Sequence, residues 1–364
     1  MQSIGIIIDS VLVANSPNET FAVYLPKNYD PKTPASIVFI FEPGARGKVG
    51  IEPFVLASET YSYILVCSNN CKNGPIKTNK EIAGRLFDFV FTQYFIDHKR
   101  MYVAGFSGGS RFASNTAMTT GAFAGIIACG ASFNSFDKVL PPANRFSYAG
   151  LVGDSDMNFQ EMVGNKSWLT RININNELFV SEDKHVWPSQ EQVLRAFDWL
   201  EIQAYRKNLK RNDQSVIGRI YQKNVTIADS LMSSKNAISA VKEYERIINN
   251  FDKALVQKAV RKNMIELKES KIYKQQIKNE QEIFDLENKL EEEFLVKFNS
   301  DLKNIKKGVD YKSWKNEIDK LDKIDVKSND KALSKMKYRL QSTLWGMIYE
   351  ASAEFKETKQ NDKY

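Results

Sequence analysis

The chain is poor in cysteine and poorer in histidine. Its 364 residues hold three Cys and two His, too few thiols for a disulfide scaffold or a four-cysteine zinc site. No apolar run approaches the ~18 residues that a membrane-crossing helix needs. The best run, Ile37-Val38-Phe39-Ile40-Phe41, is the length of a strand. Proline stops at Pro188, and glycine is nearly confined to the first 165 residues. What is present is ample apolar material, 43% hydrophobic and 12% aromatic, which excludes wholesale disorder.

Charge divides the chain as the turn-forming residues do. The net charge is +7, yet residues 1–200 carry 17 Lys and Arg against 18 Asp and Glu. The whole basic excess therefore sits in the remainder. At ~150 residues per domain the length predicts two domains, and the change in character places them at 1–207 and 208–364.

The first region alternates strand-like and helix-like segments. Ser3–Val13, Thr20–Leu25, Ala35–Phe41, Tyr63–Cys67, Met101–Ala104, Ala124–Cys129 and Tyr148–Val152 read as short strands. Ile51–Glu59, Lys80–Tyr94, Gly109–Thr119 and Glu191–Tyr205 read as helices. That alternation predicts an α/β fold with a mostly parallel sheet and flanking helices. The second region carries no strand signal. Leu231–Phe251 has its apolar residues at helical spacing, and Ala254–Lys271, Asn279–Asn299, Lys312–Leu321 and Lys331–Lys356 continue in kind. A separate all-α domain, a bundle or a degenerate repeat, is expected there. Asn236–Ile248 resembles the first helix of a tetratricopeptide repeat, but no clean 34-residue period supports a regular array.

Gly105-Phe106-Ser107-Gly108-Gly109 follows an apolar strand and opens a helix-like stretch. In that setting a serine sits on a tight strand-to-helix elbow with its Oγ exposed. A serine hydroxyl needs a base, usually histidine. His98 lies nine residues before Ser107, ahead of the same strand. At ~3.3 Å per strand residue it belongs to the opposite end of the sheet, as a surface turn residue. His185 remains, in a loop before the Glu191–Tyr205 helix. A carboxylate between the two in chain order would orient the imidazole. Gly153-Asp154-Ser155-Asp156 supplies it at the end of a strand, with Asp156 favoured and Asp154 in reserve.

An oxyanion needs two N–H donors. Gly108 offers one. The loop Glu42-Pro43-Gly44-Ala45-Arg46-Gly47 should offer the other, from Gly44 first and Ala45 next, because Pro43 has no N–H. Arg46 is read as a partner of Glu42 or as a contact for an anionic substrate. Asn69 and Asn70, in a loop after a strand, line the substrate site or simply form the turn. Phe159 and Trp168 are read as core packing or as a cap or acyl-pocket wall. Cys67 and Cys71 are a bridged pair or free thiols, and Cys129 is read as core.

At this point residues 1–205 resemble an α/β-hydrolase of the esterase, feruloyl esterase and polyhydroxybutyrate-depolymerase-like branch. Arg100–Gly109 looks like that branch's strand and elbow, Gly153-x-x-Asp156 its acid turn, and His185-Val186-Trp187-Pro188 its histidine loop. The resemblance implies a Ser107/Asp156/His185 triad that hydrolyses a small or polymer-derived carboxylic ester through an acyl-enzyme, with no metal or organic cofactor. It departs at the oxyanion loop, where Glu42-Pro43-Gly44 stands in place of the commoner His-Gly. The first domain joined to a charged helical tail also resembles bacterial hydrolase-like proteins. Two other readings stand beside the esterase: an inactive hydrolase-like scaffold whose helical domain binds a partner protein, and a peptidase of the same fold. Nucleic acid is not expected as a partner, since the tail's Lys residues interleave with Glu and Asp. No basic n-region or long apolar h-region opens the chain, which suits either a cytoplasmic protein or an exported one whose leader has been removed.

Overall fold

The computed structural model describes residues 3–14, 16–133, 146–251, 256, 258–305, 309–324 and 331–357. The chain divides into two compact units, Met1–Asp213 and Gln214–Tyr364.

The first unit is built on an eight-stranded sheet: β1 Ile7–Leu12, β2 Thr20–Tyr24, β3 Ala35–Phe41, β4 Tyr63–Ser68, β5 Ile96–Phe106, β6 Gly125–Cys129, β7 Ser147–Gly153 and β8 Asn175–Ser181. Their order across the sheet is β1-β2-β4-β3-β5-β6-β7-β8. Antiparallel pairing is confined to the β1–β2 and β2–β4 pairs, and every later pair is parallel. This is the sheet of an α/β-hydrolase, as expected. Helices flank it: α1 Gly47–Ile51, α2 Val55–Tyr61, α3 Ile76–Gln93, α4 Gly108–Thr120, α5 Phe159–Arg171 and α6 Gln190–Arg206, with a 3-10 turn at Glu52–Phe54.

The period of two along a strand explains why β3 is apolar from Ile37 to Phe41. Phe39 and Phe41 point to one face, where their rings meet Phe87 of α3 at 4.5 and 6.4 Å, and Phe41 meets Phe112 of α4 at 4.7 Å. Ile40 points to the other face, beneath α1, within 3.5 Å of where a Cβ on Gly50 would stand. Both faces are covered, and the strand's one polar residue, Ser36, is itself fully buried.

Several local expectations are revised. The strand before the elbow runs from Ile96, not Met101, so His98 is an exposed strand residue and not a turn; its ring lies 5.3 Å from Phe91. The expected Ile51–Glu59 helix is three pieces, because Pro53 sits inside it and a 3-10 turn absorbs the break. The segment after α6 stays on the first unit, where Leu209 N–H donates to Ala204 O and Lys210 Nζ to Glu201 Oε2 at 2.5 Å.

The second unit holds α7 Gln214–Ser233, α8 Ala237–Asn250, α9 Lys258–Glu269, α10 Lys271–Lys303, α11 Tyr311–Asp322 and α12 Lys331–Glu357. The single helix expected over Leu231–Phe251 is broken at Ser234–Asn236. Lys235 takes φ +63°, its N–H and that of Asn236 return to the carbonyls of Met232 and Leu231, and the Asn236 side chain caps α8. The first residues of the expected Ala254–Lys271 helix lie outside the described residues. Phe294, Leu321, Met336, Leu340 and Leu344 form a buried cluster, and beside them Arg339 Nε donates to Glu287 Oε1 at 2.6 Å in a buried ion pair.

Candidate active site

Parallel strands bring their C-terminal ends to one edge of a sheet, where connecting loops can meet. Ser107 follows β5, Asp156 follows β7, and His185 lies in the loop after β8. All three side chains converge there.

The elbow at Ser107 is a strained turn. Its φ of +51° and ψ of −123° lie where few residues with a side chain go. Ser107 N–H donates to the Cys129 carbonyl of the neighbouring strand at 2.9 Å, and the Ser107 carbonyl accepts from Ser110 N–H as α4 begins. The motif's outer glycines are needed for space, since a Cβ on Gly105 would stand 2.3 Å from Gly109 O and one on Gly109 2.1 Å from Phe41 O.

His185 Nε2 lies 3.0 Å from Ser107 Oγ, and its Nδ1 lies 2.9 Å from both Asp156 carboxylate oxygens. Asp156 is 1% exposed. Its carboxylate also accepts from Asn158 N–H at 2.8 Å, which fixes the turn that carries it. Of the two carboxylates weighed from the sequence, the structure brings Asp156 to the imidazole. Asp154 instead accepts from Ser155 Oγ at 3.2 Å, and its N–H donates to the Ser181 carbonyl at the end of β8.

Residues that had no role assigned from the sequence hold this arrangement. Gly130, directly after β6, has φ +65°, and its carbonyl accepts from Asn158 Nδ2 at 2.6 Å. A Cβ there would lie 2.8 Å from Phe106, 3.2 Å from Asp156 Oδ2 and 3.3 Å from His185 Cε1. The Phe106 ring lies 4.7 Å from the imidazole and 5.1 Å from Trp187, making an aromatic wall behind His185. Gly153 lets the histidine loop approach β7, for its Cβ would stand 2.1 Å from Asp183 O. Gly130 carries no motif in the sequence; only its place after an apolar strand hints at a role.

The oxyanion-loop expectation is corrected. Gly44 N–H donates to Glu42 Oε2 at 2.7 Å, Ala45 N–H to Glu42 O at 2.9 Å, and Arg46 N–H to Glu42 Oε2 at 3.0 Å. The loop is curled around its own carboxylate, so neither Gly44 nor Ala45 offers an uncommitted donor. Burial alone would push the Glu42 carboxyl up, yet the Arg46 guanidinium and the Arg46 and Gly44 N–H groups together hold it below the ordinary carboxylate value. Arg46 thus takes the structural reading, pairing with Glu42 through Nε at 3.1 Å and through its terminal nitrogen.

Asn69 and Asn70 are likewise engaged in holding the fold. Asn69 Oδ1 accepts from Gly47 N–H at 2.7 Å, and its Nδ2 donates to Asp9 and Thr20. Asn70 accepts from Thr20 N–H and donates to the Asn18 carbonyl. Asn69 thus staples the β1–β2 hairpin to α1, and Asn70 is tied to the same hairpin. Phe159 is buried at the start of α5, and Trp168 stands edge-on to Phe133 at 5.8 Å, so both read as packing. Cys67, Cys71 and Cys129 are free and buried. The neighbouring loop places Asn73 over the elbow: its N–H donates to Pro43 O at 2.9 Å, and its side-chain amide lies against Gly108.

Among the described residues no cluster of three or more His, Cys, Asp or Glu could hold a metal ion, and no helix is long and apolar enough to cross a membrane.

No family model matches the chain, and no curated protein matches it. Similar solved structures include an S-formylglutathione hydrolase, FrmB, from Staphylococcus aureus, at 15% identity and TM-score 0.44 over 55% of this chain and 98% of that one. A feruloyl esterase module from Clostridium thermocellum aligns at 13% identity and TM-score 0.44, over 53% of this chain and 88% of that one. An esterase from the archaeon Pyrobaculum calidifontis aligns at 10% identity and TM-score 0.43, over 56% and 87%. At such values the likeness carries no argument about chemistry, which rests on this chain's own residues.

Proposed function

We propose that the protein is a serine hydrolase of carboxylic esters, with Ser107 as nucleophile, His185 as base and Asp156 as the carboxylate that orients it. One observation carries the reading: the unbroken contact from Ser107 Oγ through His185 Nε2 and Nδ1 to a buried Asp156, at 3.0 and 2.9 Å.

The chemistry follows from that contact. Ser107 Oγ attacks the ester carbonyl carbon while its proton passes to His185 Nε2. Asp156 accepts the Nδ1–H, fixes the tautomer and stabilises the imidazolium that forms. The carbonyl oxygen becomes an oxyanion beside the Gly108 N–H, at the positive end of α4. As the intermediate collapses, the carbon–oxygen bond to the alcohol breaks and His185 returns the proton to the departing oxygen. The acyl group stays on Ser107. Water, deprotonated by His185, then attacks the acyl carbon and releases the acid.

The test is hydrolysis of p-nitrophenyl esters from acetate to decanoate, together with fluorophosphonate labelling, comparing wild type with Ser107→Ala. Turnover and labelling that both vanish in the variant are expected. A folded wild type that neither hydrolyses an ester nor takes the label would refute the reading and favour the non-catalytic scaffold. Faster turnover of amides than of the matched esters would favour the peptidase.

A further inference from the structure

We propose that the side-chain amide of Asn73 is the second oxyanion donor, acting opposite the Gly108 N–H. The inference rests on the esterase reading and deepens it.

The need for such a donor arises in the loop after β3. Pro43 has no N–H, and the next three N–H groups, of Gly44, Ala45 and Arg46, are all held by Glu42. Glu42 is wholly buried and ion-paired to Arg46. Its carboxyl is kept anionic, so it does not yield those donors to a passing oxyanion. The backbone source is closed.

Asn73 stands where a replacement has to stand. Its own N–H is tied to Pro43 O at 2.9 Å, and the adjoining Lys72 bridges to Gly44. These bonds fasten its loop across the oxyanion loop. Its side chain then reaches the elbow from outside. A Cβ on Gly108 would stand 1.9 Å from Asn73 Oδ1, 2.8 Å from Cγ and 3.1 Å from Nδ2. The missing side chain at Gly108 is therefore what admits the amide. Among the described residues the Asn73 amide has no other hydrogen-bonding partner, and the residue is exposed, so a half-turn about its last side-chain bond costs no bond and can bring Nδ2 inward.

The spacing fits two donors sharing one oxygen. A Cβ lies about 2.5 Å from its own backbone nitrogen. After the half-turn Nδ2 takes the place of Oδ1, which stands 1.9 Å from that Cβ position, so the Gly108 and Asn73 nitrogens are then within about 4.4 Å of each other. Two N–H groups, each about 2.9 Å from the same oxygen, can stand up to about 5.8 Å apart. The oxyanion would sit between them.

The experiment compares wild type, Asn73→Ala and Asn73→Asp for hydrolysis of p-nitrophenyl acetate and for inhibition by a trifluoromethyl ketone. That inhibitor adds to a serine to give a tetrahedral oxyanion. Removing a donor that acts only on the oxyanion should lower kcat about 10²-fold with KM within about threefold, and weaken the ketone by a similar factor. The Asp variant keeps the shape and the loop anchor but presents an acceptor, so it should fall at least as far. Asn73 is exposed, and both variants should melt near wild type. A kcat within threefold of wild type, or a rise in KM alone, would overturn the assignment while leaving the esterase reading intact. Absence of both ester turnover and fluorophosphonate labelling in wild type would overturn both.

Discussion

A methyl group added at Gly130 tests how tightly the three converging side chains are held. Gly130 touches no substrate in the proposed reaction, yet its Cβ position lies 2.8 Å from the Phe106 ring, 3.2 Å from Asp156 Oδ2 and 3.3 Å from His185 Cε1. Ordinary carbon contacts begin near ~3.5 Å, so the Phe106 ring must retreat by roughly 0.7 Å. That ring lies 4.7 Å from the imidazole, and its displacement passes directly to His185. A misplacement approaching 1 Å in a reacting constellation costs on the order of 10²-fold in rate. The backbone adds its own cost. At φ +65° an alanine is strained by about 1–2 kcal/mol, and overpacking adds about 1–2 kcal/mol more. Gly130→Ala should therefore melt ~5–15 °C lower while remaining folded at 20 °C. In that state kcat/KM for p-nitrophenyl acetate should be about 10²-fold below wild type, and fluorophosphonate labelling should slow in proportion. Phe106→Leu in the same chain removes the tightest contact and should recover part of the rate, a coupling that a double-mutant cycle reads directly. A folded Gly130→Ala protein with kcat/KM within threefold of wild type would refute the reasoning, because the three converging side chains would then tolerate a displacement that geometry says they cannot.

Three further outcomes follow from the same contacts. Asp156→Asn leaves the shape but removes the charge that steadies the imidazolium, so kcat should fall by about 10³–10⁴ in steady-state ester kinetics with little change in melting temperature. Asn69→Ala deletes bonds to Gly47, Asp9 and Thr20 and should cost about 1–2 kcal/mol in chemical denaturation with KM unchanged; a shift in KM without loss of stability would return Asn69 to the substrate site. Glu42 has a depressed folded-state value, so it stabilises the fold above the ordinary carboxylate value and loses that contribution as pH falls through its folded value. Glu42→Gln should accordingly flatten the acid limb of a plot of melting temperature against pH, and because Arg46 is largely solvent-exposed its cost at neutral pH should stay near 1–2 kcal/mol.

The sheet and the three converging residues were legible for different reasons. Strand β3 could be read to the residue because both its faces are buried, which favours the apolar run from Ile37 to Phe41. Ser107 announced itself through a turn that few residues can make. His185 was found by elimination, since the chain has two histidines and the other, His98, stands at the start of β5, far from the end that carries Ser107. Strand β8 was invisible because its first residues, Asn175, Asn176 and Glu177, are polar. They are accommodated by partners outside the strand: Asn175 donates to Gln203 at 2.6 Å, Lys166 to Glu177 at 2.5 Å, and Asn176 to Thr170 at 3.1 Å. The Gly44 and Ala45 expectation failed for a similar reason. A loop's N–H groups look alike in a sequence, and whether a neighbouring carboxylate has captured them is a matter of backbone curl. Asn69 and Asn70 show the same ambiguity from the side-chain end, since an asparagine that staples a hairpin is spelled like one that greets a ligand.

The three cysteines offer a handle of another kind. All are buried in the first unit, with burial pushing the thiols of Cys67 and Cys129 well up and that of Cys71 up to about 11. A folded protein should thus resist alkylation, and reaction with a small electrophile should proceed through transient opening of the sheet. The helical unit contributes no cysteine at all. Alkylation rates measured on the full chain would therefore report the opening free energy of the first unit alone, letting one half of the molecule be timed while the other is mutated, bound or left untouched.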